Sequence, residues 1–255
     1  WQKIVVSHSE DQVLAKNGVM NEGLLSTKLG LRGIPAEAEH IMVYRDISLA
    51  GLTCANLHLA HLTTKKSVDL VREAKKQLNN ITCEATIHHL TLTEDALKGY
   101  NANAKVSPPL RTQEDVKALI KGIKEDTIDA IVTDHAPHSE EEKGSGIENA
   151  PFGMVGFETA LPLAMTLIRY GIKPIKLIEK MTCTPAKILN LKPNTITMGA
   201  EANCVIFDPE REWVLKKENI YSLSKNTPFL DKKFVGKVLC TFYRGAPVYS
   251  DKTLL

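Results

Sequence analysis

Three side chains with acid–base and metal-binding chemistry follow a short apolar run in the middle of the sequence. The run, Ile128–Val132, has the length of a buried strand and is too short for a helix. Asp134, His135 and His138 come next, and Pro137 opposes an immediate helix because proline disfavours the α conformation in the residue before it. We therefore expect Asp134 at the carboxyl end of a buried strand, where parallel α/β folds carry their chemistry. A carboxylate there can bind a metal through one oxygen and accept a proton on the other.

Two further histidines end predicted strands, so their side chains are candidates for the same site. His8 follows the first apolar run and His61 ends a later one, whereas His58 has the opposite parity and faces the other side of its strand. We predict His61 as a ligand and His58 as a residue that packs within the structure. Two histidines and one aspartate favour a divalent ion, most simply Zn²⁺, which lowers the pKa of bound water toward ~7. The alternative is that Asp134 caps the next helix and that His135 packs.

Strand and helix patterns alternate four times up to residue 190. Adjacent His88 and His89, placed at the end of a strand over Ile81–Ile87, would point to opposite faces, which favours a structural role for both. Residues 17–35 are predicted to form a loop around short turns. The predicted helices are Pro35–Gly51 with an apolar stripe of Ile41, Ile47 and Leu49, then Val68–Leu78, 113–124, Glu158–Tyr170, Pro174–Met181 and Pro185–Leu191. Short β runs follow, at Cys204–Phe207 and Val238–Tyr243.

Composition excludes several classes of protein. The 255 residues are 43% apolar and 24% charged, which is typical of a globular chain with a real core. A net charge of +2 gives no reason to expect a nucleic acid or an anionic membrane as partner. The five cysteines are dispersed and odd in number, which indicates free thiols in a cytoplasmic protein. No apolar run approaches the ~20 residues that cross a bilayer.

Several motifs together resemble the type I dihydroorotases, members of the metal-dependent amidohydrolase superfamily. The most specific are Pro108–Arg111 and Thr133–His138, and the others include Val6–Asp11, Leu57–Thr64, Ala150–Thr159 and Asn226–Phe229. The resemblance covers nearly the whole chain. It implies an α/β fold in which residues 1–190 form the C-terminal portion of a (β/α)8 TIM-like barrel, and residues 191–255 form the C-terminal β segment of a composite β domain.

The resemblance also implies a reaction and the residues that perform it. The reaction is the reversible, metal-dependent hydrolysis of dihydroorotate to N-carbamoyl-L-aspartate in pyrimidine biosynthesis. Asp134 would bind metal and act as the general acid and base. The implied metal ligands are His8, His61 and Asp134, holding one or two Zn²⁺ ions, and the implied substrate contacts are Ser107, His138, Phe152 and Gly153.

Two departures from the family pattern bear on these roles. Ser107 stands where the family usually has an asparagine that contacts substrate, so the reach of this contact is shorter. The strands that carry the family's His-x-His pair, the bridging ligand and a substrate-binding arginine and asparagine are not in this sequence. Because the chain starts at Trp1, next to a strand already under way, we expect it to be the C-terminal part of a longer protein whose N-terminal fragment remains associated.

Other partners and functions stay open at this point. A homo-oligomer is expected, and aspartate transcarbamoylase is a possible partner enzyme. The first alternative function is a related cyclic amidohydrolase, either an allantoinase, with which Ser107 is compatible, or a dihydropyrimidinase. The second alternative is a catalytically inactive, dihydroorotase-like subunit that scaffolds another enzyme. Intact His8, His61 and Asp134 argue against the inactive subunit.

Overall fold

The fold is built on a four-stranded parallel sheet, and the computed structural model describes residues 3–192 and 194–251. The predicted ends of the two domains at residues 1 and 255 lie outside the described residues. The strands in chain order are β1 (Ile4–Ser7), β2 (Met20–Asn21), β3 (Gly33–Ile34), β4 (Asn56–Leu59), β5 (Ile81–Thr86), β6 (Ala130–Val132), β7 (Cys204–Val214), β8 (Lys233–Tyr243) and β9 (Ala246–Ser250). The sheet order is β1-β4-β5-β6, so β1 and β6 are its edges among the described strands.

Helices follow the strands of this sheet, as the alternating pattern predicts. They are α1 (Gln12–Ala15), α2 (Leu24–Leu29), α3 (Glu37–Thr53), α4 (Lys65–Ala74), α5 (Ile87–Thr91), α6 (Gln113–Lys124), α7 (Glu140–Gly144), α8 (Phe157–Met165), α9 (Pro174–Met181) and α10 (Cys183–Ile188). α4 packs against both α3 and α6. The parallel strands with their crossover helices confirm the predicted α/β class.

Two compact units can be distinguished. The described residues up to Phe157, together with Tyr221–Pro228, form one unit, and the rest form the other. The second unit contains the antiparallel sheet β7-β8-β9, which confirms the predicted β segment near the C-terminus. The domain division predicted at residue 190 stays a prediction. No described helix has both the length and the apolar character needed to cross a membrane.

The buried face of α3 differs from the predicted apolar stripe. Ile41 and Leu49 are 48% and 50% exposed, whereas Ala38, Glu39, Val43, Asp46 and Ala50 are buried. Residues 39, 43, 46 and 50 have the spacing of one helical face, which 41, 47 and 49 do not. The predicted stripe was wrong because it selected residues by their hydrophobicity and not by the spacing of a helical face. The face that is buried carries two acids, Glu39 and Asp46.

Three local predictions are corrected. Residues 17–35 contain β2, α2 and β3, because Val19 and Glu22 form backbone bonds to Arg32 and Ile34. His88 and His89 lie in α5 and not at the end of a strand, because the Thr86 hydroxyl accepts from the His89 amide and starts a helix. The segment Ser139–Asn149 is rich in glutamate, glycine and serine, which predicts a polar loop, but it contains α7, and Ser139 caps this helix. The five cysteines are all described, and none of them is in a disulfide bond.

A glycine in α6 allows the helix to lie close to its neighbours. A Cβ atom at Gly122 would stand 3.0 Å from the Ile128 side chain and 3.2 Å from Val68 of α4. The Gly122 carbonyl accepts the Ile128 amide at 3.0 Å, which fixes the approach of the chain to β6. Any larger side chain must therefore displace packed core atoms.

We expect Gly122→Leu to lower the free energy of unfolding by about 1–3 kcal/mol, because it overpacks a close-packed core. Urea-induced unfolding measures the change. Gly144→Leu is the matched control, since a Cβ at Gly144 in α7 would meet no heavy atom within 4 Å. The control should stay within about 0.5 kcal/mol of the parent. Equal losses in the two variants would contradict the close packing at Gly122.

Candidate active site

Polar side chains collect at the carboxyl ends of the parallel strands. His8 directly follows β1, His61 follows β4 by two residues, and Asp134 follows β6 by two residues. The register places Ser7 beside Leu59, so the ends of β1 and β4 are level. This is the arrangement predicted for the candidate ligands.

His8 and His61 are in direct contact. His8 Nδ1 and His61 Nε2 are 2.9 Å apart, and the rings meet edge to face with centroids 4.6 Å apart. Burial, with the charge of His8, lowers the pKa of His61, and Asp134 opposes this shift. The pKa of His8 is raised by the carboxylate of Glu10, against the effect of burial, with a smaller contribution from Asp134. Asp134 therefore acts electrostatically on both histidines.

His61 and Asp134 share an uncommon backbone conformation. Their φ angles are 34° and 45°, in the left-handed region that non-glycine residues seldom occupy. Such residues cluster at binding and catalytic sites, where the surrounding structure compensates the strain. Asp134 is exposed and does not cap a helix, since the next helix, α7, begins at Glu140 and is capped by Ser139. The capping alternative for Asp134 is therefore not observed.

His8 is held by its two serine neighbours. The hydroxyls of Ser7 and Ser9 donate to Asp46 Oδ2 at 2.6 Å and 2.9 Å. Arg45 donates to the other oxygen, Oδ1, through Nε and Nη2 at 2.8 Å and 2.6 Å. The buried carboxylate of Asp46 thus fixes the backbone on both sides of His8.

His61 is held by a second buried acid of α3. The Glu39 carboxylate accepts the backbone amides of Thr63 and Thr64 at 3.0–3.2 Å. It also accepts both threonine hydroxyls, that of Thr64 at 3.0 Å. Because Thr63 is two residues after His61, these bonds fix the turn that presents the imidazole.

The negative charge of Glu39 is balanced by a buried arginine. Burial raises the pKa of Glu39, but the charge of Arg111 and hydrogen bonds, including those from Thr63, outweigh it and leave the pKa below its ordinary value. Arg111 Nε donates to Thr63 Oγ1 at 3.3 Å, and Nη1 donates to Asn21 Oδ1 and the Ile34 carbonyl. The network joins α3, the turn after β4, β2 and β3.

Four other histidines make internal contacts. His58 is buried between Thr82 and Glu84, with ring nitrogens 2.8 Å and 3.0 Å from their side-chain oxygens, as its parity predicted. Burial lowers the pKa of His89 to about 3, so its ring is neutral and donates Nε2–H to the Pro108 carbonyl. His88 is also buried, and burial keeps its pKa well below the ordinary value. His135, the fourth, stacks on Phe157 with centroids 3.7 Å apart.

The predicted substrate contacts are divided between two segments. His138 Nε2 donates to the Phe152 carbonyl at 2.8 Å, and the Gly153 amide donates to the Lys105 carbonyl at 2.9 Å. Gly153 has a φ of 132°, and a Cβ there would lie 2.6 Å from the Ala136 side chain, so only glycine fits. The structure therefore brings His138, Phe152 and Gly153 together.

Ser107 lies at a pocket of about 400 Å³. Glu10, Arg32, Lys105 and Phe152 also line it. Ser107 Oγ donates to Glu10 Oε1 at 3.5 Å, and the other oxygen of Glu10 is 3.7 Å from His8 Nε2. Glu10, at the edge of this pocket, thus connects Ser107 with His8.

Sequence reasoning assigned no role to Glu10, Glu39, Asp46 or Asn226. Glu10 touches both His8 and Ser107, and Asn226 bonds to the backbone at His138. A signal existed for the two acids of α3, because residues 39 and 46 fall at positions that the helical period assigns to a buried face. For Asn226 the motif alone gave no indication of what it touches.

The donor set fits part of a metal site. The structure describes no cluster of three or more His, Cys, Asp or Glu residues that could hold an ion within 3–192 and 194–251. Two imidazoles nevertheless converge, and the buried Nδ1 of His61 has no hydrogen-bond partner among the residues that the structure describes. Neutral imidazole nitrogens are common ligands of Zn²⁺. His8 and His61 therefore fit as two members of a larger ligand set.

The fold and the site define a family. The sequence pattern described as the Amidohydrolase family matches residues 29–248 of this chain. The chain belongs to the amidohydrolase family, which confirms the predicted superfamily. Two similar relatives are the proteins named dihydroorotase of Endomicrobium trichonymphae, 50% identical over 96% of this chain, and of Geotalea daltonii, 46% identical over 96%. The chain spans 59% and 58% of their lengths.

Solved structures confirm the fold. Dihydropyrimidinase from Brevibacillus agri NCHU1002 superposes with a TM-score of 0.85 over 98% of this chain and 57% of that one, at 24% identity. A D-hydantoinase gives 0.86 over 98% and 58%, also at 24% identity. Together with the parallel sheet and the small antiparallel sheet, these likenesses confirm the predicted partial amidohydrolase barrel with a β segment.

We expect Glu39→Gln to lower the free energy of unfolding at pH 7 by about 1.5–3 kcal/mol, because hydrogen bonds to a charged acceptor are lost in a buried site. The stabilisation depends on pH. Since the folded pKa lies below the ordinary value of 4.5, the contribution is complete above pH 4.5 and is lost as the pH falls through the folded pKa. Urea-induced unfolding at several pH values measures both effects.

Glu37→Gln is the control for this prediction. Glu37 lies two residues earlier in α3 and is exposed. Its replacement should change the free energy of unfolding by less than about 0.5 kcal/mol at every pH. A difference between Glu39→Gln and the parent that stays constant down to pH 3 would count against the role of the Glu39 charge.

Proposed function

We propose that this chain supplies the later half of a dihydroorotase active site, which reversibly hydrolyses dihydroorotate to N-carbamoyl-L-aspartate. The single observation that carries the proposal is the convergence of His8 and His61, with Asp134 acting on both, at the carboxyl edge of the parallel sheet. The names of the relatives support the choice of substrate.

The proposed site residues of this chain would have different roles in the reaction. Asp134 is exposed at the strand end, so its carboxylate can take a proton from the attacking water and give it to the departing amide nitrogen. His8, His61 and a second oxygen of Asp134 would hold a divalent ion such as Zn²⁺, which would supply hydroxide at neutral pH. His138 and the backbone of Phe152–Gly153 would orient the substrate, and Ser107 would contact it from the pocket.

We further propose that an N-terminal segment completes the site. Within the described residues the parallel sheet ends at β1 and β6, and exposed Val5 and Val6 lie on β1. An open sheet edge is prone to pair with another strand. The segment would add strands and the remaining ligands, including the one that bridges two ions. Association with aspartate transcarbamoylase, a homo-oligomer and a cytoplasmic location belong to the same proposal.

The test of this function is hydrolysis of dihydroorotate by the protein as isolated, with an intact-mass spectrum of the same sample. Activity accompanied by an N-terminal segment, either covalent or as a second species, is the expected result. Hydantoin, dihydrouracil and allantoin are assayed in parallel. Turnover of one of these and not of dihydroorotate would assign a different cyclic amidohydrolase, and no turnover of any would favour the inactive subunit.

We expect Asp134→Asn to lower kcat on the order of 10²–10⁴-fold with little change in KM, because the proton acceptor is removed and the shape is kept. Asp126→Asn is the matched control. Asp126 is also exposed, has a φ of 61° and lies at the opposite end of β6. Its replacement should leave kcat unchanged. An equal loss of kcat in both variants would contradict the role proposed for Asp134.

We expect His61→Ala to lower Zn²⁺ affinity at least about a hundredfold, since even indirect partners of a ligand contribute that much. Metal content after dialysis against graded free Zn²⁺, measured by elemental analysis, gives the affinity without an activity assay. His40→Ala, on α3, is the control and should retain the parent affinity. If His61→Ala binds Zn²⁺ as the parent does, the assignment of this ligand is wrong.

A further inference from the structure

One asparagine near the C-terminal part of the chain connects the two segments that carry the proposed substrate contacts. Asn226 is 4% exposed and belongs to Tyr221–Pro228, a stretch that packs with the first compact unit although the residues on both sides of it belong to the second. We propose that Asn226 is a positioning residue for substrate binding, which holds the His138 and Gly153 segments in register. The effect on kinetics rests on the proposed function, and the effect on the two segments does not.

The side chain of Asn226 uses both of its polar ends. Its Nδ2 donates to the Ala136 carbonyl and to the Gly153 carbonyl, each at 3.1 Å. Its Oδ1 accepts the backbone amide of His138 at 3.0 Å. One amide group therefore ties the segment after β6 to the segment around Gly153 through three hydrogen bonds.

The backbone of the same residue adds a fourth bond. The carbonyl of Asn226 accepts the Val155 amide at 2.9 Å. This bond remains when the side chain is changed, so it provides an internal reference for a substitution.

The chemistry of this position selects an amide. Two carbonyls need two donors and one amide N–H needs an acceptor, which asparagine supplies together. Aspartate offers no donor, serine offers one, and alanine offers neither donor nor acceptor. A buried carbonyl left without a donor is unfavourable, so the segments are expected to shift when the amide is lost.

The bonds of Asn226 end on the substrate side of the site. They reach residues 136, 138, 153 and 155, and not His8, His61 or Asp134. His138 in turn donates to the Phe152 carbonyl, so a shift of either segment breaks the pair that would orient the substrate. Loss of Asn226 should therefore weaken substrate binding more than it slows the chemical step.

The first experiment compares Asn226→Ala with the parent in steady-state kinetics. We expect KM for dihydroorotate to rise about ten- to a hundredfold while kcat falls less than about threefold. A rise of this size corresponds to the binding free energy of one to two hydrogen bonds. A fall in kcat with unchanged KM would overturn the positioning role.

Hydrogen–deuterium exchange of the same variant requires no activity. Peptides covering residues 134–140 and 150–156 should exchange faster, with the largest increase at the His138 amide. Unchanged exchange in both peptides would overturn the inference even if the protein is inactive. Conversely, faster exchange in a protein that does not hydrolyse dihydroorotate would support the inference while the proposed function fails.

Asn80→Ala is the matched control. The Asn80 amide also donates to two carbonyls, those of Ala50 and Ala55, at 3.2 Å and 2.5 Å, beyond the amino end of the sheet and away from the site. The control should lose stability to a similar degree and keep the parent KM. An equal rise of KM in Asn80→Ala would show a general structural effect and overturn the proposal.

Asn226→Asp is a second variant, for use also if Asn226→Ala does not fold. The carboxylate keeps the acceptor toward the His138 amide but places an oxygen against the Ala136 and Gly153 carbonyls. We expect faster exchange in residues 150–156 with the His138 amide still protected, and a raised KM. Parent-like exchange and KM in this variant would overturn the role of the two donated hydrogen bonds.

Discussion

The burial of the Glu39 charge is the constraint on which much of the first compact unit depends. A carboxylate removed from water must be matched by hydrogen bonds and an opposite charge, and here Thr63, Thr64 and Arg111 provide them. These partners come from the turn after β4 and from the segment before α6, and Arg111 continues to Ile34. Satisfying one buried charge thus fixes the relative positions of α3, the candidate ligand turn and the short strands before α3. Asp46, seven residues later on the same helix, repeats the principle on a smaller scale at His8.

The candidate site follows from the direction of the strands. Parallel strands end at the same edge, so His8, His61 and Asp134 all lie at that edge although they are far apart in sequence. The sheet edge supplies proximity, and the buried acids of α3 supply orientation. The segments that carry the proposed substrate contacts are held together differently. Hydrogen bonds from neutral groups, including the amide of Asn226, join them without burying a charge.

The residues proposed for the site form a coherent group within the first compact unit. Two imidazoles converge, an acid with an unusual backbone conformation lies near them, and a pocket reaches from Glu10 to Phe152. Burial and the charge of His8 lower the pKa of His61, and Glu10 raises the pKa of His8, so both rings respond to charges at the strand ends. The same groups would be able to hold a divalent ion, because imidazole nitrogens and carboxylates are common ligands of Zn²⁺.

The sequence by itself determined the alternation of strands and helices, the positions of the strand ends and the family. Apolar runs followed by His8, His61 and Asp134 were enough to predict an α/β fold with these residues at one edge, because local patterns specify strands and their termini. Only the tertiary structure decided which groups pair with the two buried acids of α3 and that Asn226 returns to the site. Those features depend on partners distant in sequence. No local pattern records such partners, because a buried polar group is defined by what surrounds it and not by its neighbours along the chain.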